Sequence, residues 1–157
     1  MRLVFAMASC LALTAAAAAQ SHQDEVKHRG QMVMGFDQDA TVHHFILTAD
    51  GGRIEVTAKA ADDAKSIAEI RSHLTHIAVM FAEGDFSAPM LVHAKERPGV
   101  PGMKHAGSAV KYAYEDLPLG ARIVMTTAPA DAVAAIHEFL RFQIADHKTG
   151  DPADVKK

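Results

Sequence analysis

His73, His76 and Met80 stand three and four residues apart, a spacing that brings side chains together along one edge of an α-helix. Two imidazoles so placed can chelate one metal ion, and a thioether one turn further on adds a soft donor. Imidazole suits copper, zinc, iron or nickel, whereas thioether selects copper(I). The plainer reading is that His73 and His76 are boundary histidines bonded to backbone or water while Met80 fills core. His43 and His44 are consecutive, so in a strand their rings point to opposite faces and one of them can join a given site. If His44 shares a face with Val42 and Ile46, His43 shares the other with Phe45 and Leu47. Met103 and His105 lie two apart in the turn-rich segment 98–105, and Met32 and Met34 form a second pair. Methionines on strands are ordinarily core. His93 could belong to either group.

The chain has ten histidines and a single cysteine, Cys10. Arg2, the apolar stretch Leu3 to Leu13 and the small residues Ala17 and Ala19 predict a cleavable secretory signal over 1–19. A lipid-anchored reading through Cys10 would leave a very short apolar stretch before it. With Cys10 removed, disulfides, thiolate metal sites and a cysteine nucleophile are excluded, and stability must come from packing. The implied location is a bacterial periplasm. Formal net charge is −3 with histidines neutral, and no basic stripe points to nucleic acid. Protonating the histidines below about pH 6 would reverse the sign of that charge. No Gly-rich phosphate loop, His-Glu-x-x-His, G-x-S-x-G or Cys-x-x-Cys-His is present. Non-covalent haem with His and Met axial ligands stays open.

These donors need a scaffold. Residues 20–30 read as a polar leader containing His22 and His28, 31–150 as one domain and 151–157 as a polar tail. Gln31–Phe36, Thr41–Thr48 and Arg53–Ala58 read as strands, with a hairpin turn at Asp50-Gly51-Gly52. Asp62-Asp63 then cap a helix running to about Ala82, whose stripe Ile67, Ile70, Leu74, Ile77 and Phe81 faces a sheet. Met90–Ala94, Ser108–Glu115 and Arg122–Thr127 read as three more strands, with a turn over Leu117–Ala121. A second helix follows from Pro129-Ala130-Asp131 to about His147. His137 and His147 on it read as structural or capping, His147 complementing the helix dipole.

The helices superpose with a constant offset of 66, Ile70 on Ile136 and Leu74 on Leu140, and Arg53-Ile54 lies opposite Arg122-Ile123. The expected fold is therefore α+β. It is a two-layer sandwich in which an antiparallel sheet of about six strands carries two helices on one face, as a βββα duplication.

Met34-Gly35-Phe36-Asp37-Gln38, His43-His44-Phe45, His73-Leu74-Thr75-His76-Ile77-Ala78, Gly84-Asp85-Phe86 and Phe139-Leu140-Arg141-Phe142-Gln143-Ile144 span nearly the whole chain after residue 19. Together they resemble a family of small exported bacterial proteins without an established function, some labelled aspartate carbamoyltransferase. That label finds no support in the residues, because the Ser-Thr-Arg-Thr-type phosphate loop of such transferases is absent. The resemblance implies the exported location and leaves mechanism untouched.

Three functions follow as expectations. The first is a periplasmic metal-binding protein, copper first and zinc second, using His73, His76 and Met80. One of His43 or His44 would complete that set, with Met103 or His105 closing over it. The second is a metal-free ligand- or partner-binding module using an open sheet face with Tyr112 and Tyr114. The third is a small hydrolase or transferase with His73 or His76 as general base, which needs a carboxylate within hydrogen-bond reach of that ring.

Overall fold

The computed structural model describes residues 34–93 and 97–155. The stretch 1–19 expected to be a signal, the expected leader 20–30 with its two histidines, and residues 31–33 of the first expected strand, Met32 among them, lie outside the described residues. Four strands and four helices follow in order. β1 (Thr41–Thr48) and β2 (Gly51–Ala58) form a hairpin, followed by α1 (Ala64–Ala82), α2 (Ser87–His93) and α3 (Val100–Ala106). β3 (Lys111–Leu117) and β4 (Gly120–Thr126) form a second hairpin, and α4 (Ala130–His147) closes the fold. The sheet is antiparallel throughout, in the order β1-β2-β4-β3. Among the described residues no helix is long and apolar enough to cross a membrane.

Alternation in the strands decides the layers. Phe45, Leu47, Ile54, Val56, Ile123 and Met125 are buried in one core with Ile70, Leu74, Ile136 and Leu140 of the long helices. The other face carries Arg53, Glu55 and Arg122, joined by ion pairs from Arg53 to Glu55 and from Arg122 to Glu115. In α1 the Asp63 carboxylate accepts the Ser66 N–H at 3.0 Å, satisfying a first-turn donor that the helix itself leaves open. α4 ends where Lys148 turns left-handed at φ 52°. His137 on this helix is tied through Nε2 to the Thr48 carbonyl, 2.9 Å away.

Among the described residues the sheet has four strands rather than about six, and four helices stand in place of two. Met90 to His93 lie in α2, not in a strand. Asp85 accepts the Ser87 N–H at 2.8 Å and starts the turn, after which Ala88 and Val92 face inward and Leu91 outward. A five-residue apolar run does not separate strand from buried helix by periodicity. The segment 98–105 is not a loop either. Gly99 is left-handed at φ 80° and Pro101 sits in the first turn of α3, where a missing N–H costs nothing. Met34 to Phe36 forms no strand; Phe36 is buried, and a single helical turn, Gln38–Ala40, leads into β1. Tyr112 and Tyr114 pack against the core instead of lining the open face.

The repeating unit is therefore strand–strand–helix. Ile54 pairs with Ile123 across the sheet centre, and the displacement that carries one onto the other also carries Gly51 onto Gly120 and His43 onto Tyr112. His43 pairs with Val56, and Tyr112 with Met125, the equivalent residue. The helices keep their own displacement, Ala64 onto Ala130, because the link 59–63 is longer than the link 127–129. An approximate twofold axis thus runs through the Ile54–Ile123 pair.

β1 is an edge strand, and Asp151 blunts it. Asp151 Oδ2 accepts the Phe45 N–H at 2.9 Å and the Thr149 hydroxyl at 2.7 Å, while Oδ1 lies 2.8 Å from His44 Nδ1. Burial alone would raise this carboxyl, but the hydrogen bonds from Phe45, Thr149 and His44 together hold it below the usual range. Such a cap removes a free edge donor that would otherwise template another strand. Asp151→Ala is expected to cost about 1 kcal/mol, read as a lowered melting temperature, and to make the tail after Thr149 more sensitive to protease.

Candidate functional site

The parity of β1 decides between the two adjacent histidines. His43 points with Phe45 and Leu47 toward the helices, whereas His44 lies on the outer side, its side chain 46 % exposed against Asp151. His43 enters a cavity of about 80 Å³ bounded by β1, β2, α1, α2 and α4. His73 of α1 and His147 in the last turn of α4 line the same cavity, as does Met34. The rings of His43 and His147 are stacked, with centroids 6.2 Å apart and planes 15° from parallel. Phe36 lies 5.9 Å from His43 and meets His73 edge-on at 5.5 Å.

His43 Nε2 is buried and has no hydrogen-bond partner. Leaving such an atom unmade costs about 1–3 kcal/mol, which marks this ring as a place where a ligand would be welcome. Burial pushes the His43 imidazole down to about 4, with the neighbouring His73 and His44 rings adding to the effect. Burial likewise takes His73 to about 4, helped by His76. Both rings are consequently neutral near pH 7, the form that has a lone pair to offer. No carboxylate is among the described residues that line the cavity; its wall is aliphatic and aromatic apart from Gln143 and the imidazoles.

The other candidates are not brought together. His76 is exposed on α1, and Met80 packs against the core outside the cavity. The pair therefore splits, one ring inward and one toward water, because positions three apart on a helix differ by about 60° in direction. Met103 is core, 1 % exposed, and His105 is exposed, since residues two apart on a helix differ by about 160° in direction. Neither closes over the cavity. His93 ends α2. Among the described residues no group of three or more His, Cys, Asp or Glu side chains is arranged to hold a metal ion. Pockets for drug-sized molecules run from about 300 Å³, so this space suits an ion or a few heavy atoms, and haem would require the helices to part.

No family model, curated protein or solved structure matches this chain.

The internal symmetry supplies the comparison instead. The displacements that relate the two halves carry His43 onto Tyr112, His73 onto Phe139 and His147 onto Phe81. At the equivalent positions stands an aromatic cluster, Phe81 lying 5.8 Å from Tyr112 and 6.2 Å from Phe139, both edge-on, and Phe81 and Phe139 also line the cavity. The same fold position is thus filled once by aromatic core and once by three imidazoles around a cavity. Packing at that fold position is served by aromatic rings without an imidazole. His147, read from the sequence as structural or capping, lines this cavity, a position that the sequence reading did not give it.

Proposed function

We propose that this chain binds a metal ion, copper or zinc, in the cavity under α2. His43 Nε2 is the primary ligand, and His73, His147 and Met34 are the donors able to join it. The observation that carries this reading is the buried, unpartnered His43 Nε2 in a cavity that two further imidazoles share. Imidazole and thioether are soft to borderline donors, and the neutral rings need not lose protons before binding. The periplasmic location implied by the N-terminal segment belongs to the same proposal. A second reading has one observation in its favour. The mostly apolar wall fits a small uncharged molecule held by one hydrogen bond to His43.

The test uses the full exported chain without a histidine tag, analysed for bound metals and titrated against a competing chelator. His43→Phe/His73→Phe/His147→Phe gives the two helix positions the residues of the other half, Phe139 and Phe81, and puts a phenyl ring where that half has Tyr112. It is expected to keep its circular-dichroism spectrum and cooperative melt while losing metal affinity by more than about 100-fold. Unchanged affinity in the triple variant sinks the site. Metal-free protein whose melting temperature rises with phenol but not with benzene, in the wild type only, would favour the second reading.

A further inference from the structure

Resting on the metal reading above, we infer that the ion this cavity selects is copper(I), with Met34 as the residue that confers the selectivity. Charge is the first argument. The cost of moving an ion from water into an apolar surround scales with the square of its charge, so a dication faces about four times the penalty of a monocation. Carboxylates and thiolates offset that penalty in many zinc and copper(II) sites, all-histidine zinc sites keeping a water or hydroxide in reach instead, and no side chain of either anionic kind is among the described residues lining this cavity. Its donors are uncharged, so the ion's own charge is the net charge left inside the wall.

Donor number is the second argument. Zinc sites use four ligands, or three plus water, and no three His, Cys, Asp or Glu side chains of the described residues converge in that way. Copper(I) accepts fewer and softer ligands, and thioether favours it over the divalent ions. Among the described residues the sulfur-bearing side chain in the lining is Met34, in the cavity that the imidazoles of His43, His73 and His147 also line. Met80 and Met103 pack elsewhere in the core, so the selectivity is assigned to one methionine.

The experiment titrates the full chain anaerobically with copper(I) against bicinchoninate, and separately with zinc(II) against a chromophoric chelator. Wild type is expected to bind zinc at least about 100-fold more weakly than copper(I). Met34→Leu keeps the volume and removes the sulfur. It should weaken copper(I) by about tenfold and leave zinc and the melting temperature unchanged. Zinc bound as tightly as copper(I), or copper(I) affinity indifferent to Met34→Leu, overturns the inference. If zinc binds tightly and His43→Phe abolishes that binding, the metal site stands and only copper(I) falls. If neither ion binds, or both bind unaffected by His43→Phe, the metal reading itself has failed.

Discussion

Acidification from about pH 7 to about pH 4 is expected to remove about 3 kcal/mol of folding stability, more than half of it above about pH 5, where carboxylates stay largely ionised. The cause is a pair of imidazoles. His43 and His73 are lowered from 6.5 to about 4 in the folded chain. Between those values the unfolded chain binds protons that the folded chain refuses, so stability rises with pH across the window and falls as pH drops through 6.5 toward 4. Each unit of difference is worth 1.36 kcal/mol. The figure for the pair is set below the full sum because the two rings are coupled and His73 is partly exposed. Urea unfolding at several pH values would measure it. The triple phenylalanine variant, which has neither group, should show a much flatter profile. A wild-type profile that is level from pH 7 to 4.5 would mean that His43 and His73 are not held away from water. Metal should steepen the wild-type dependence, because protons and metal compete for the same nitrogen.

The second large effect is steric and occurs at two positions that the twofold axis of the sheet relates. A Cβ built on Gly120 would lie 2.1 Å from the Val56 carbonyl oxygen, and one on Gly51 would lie 2.2 Å from that of Met125. Val56 and Met125 are themselves equivalent, so one collision occurs twice. Both obstacles are backbone in the paired central strands, which cannot rotate aside, and Gly51 also has φ +147°, a region closed to other residues. Gly120→Ala and Gly51→Ala should each cost more than about 3 kcal/mol, a large share of a marginal total. Urea midpoints for the two variants are expected to fall by similar amounts. A loss below 1 kcal/mol in either would show that the inner strands can spread.

Much of the frame was legible from local rules. The long helices announced themselves by the stripe Ile70, Leu74, Ile77 and Phe81, the Asp63 cap and the equivalent run Ile136, Phe139 and Leu140. The inner strands showed in the matching Arg53-Ile54 and Arg122-Ile123. The region between the halves was not legible. Met90 to His93 and Val100 to Ala106 are short apolar segments that fit either period, and their helicity depends on what they cover. Reading Met90–Ala94 as a strand inflated the sheet and turned ββα into βββα.

The site divides in the same way. His73 and His43 could be named as candidates from residue type and spacing, but the ring of β1 that faces inward could not, because alternation fixes only that the two differ. His147 was missed since its nearness to His43 joins the end of the last helix to the first strand, a contact no local pattern encodes. One signal for it did exist. The offset that laid Ile70 on Ile136 also lays His147 on Phe81 and His73 on Phe139, so histidine stands where the other helix has core. Sequence alone therefore determined which residues could donate to a ligand and which elements would carry them. Tertiary structure decided which donors meet, because burial and long-range packing turn His43 inward, send His76 and His105 to solvent and bury Met103. Those outcomes depend on neighbours tens of residues away.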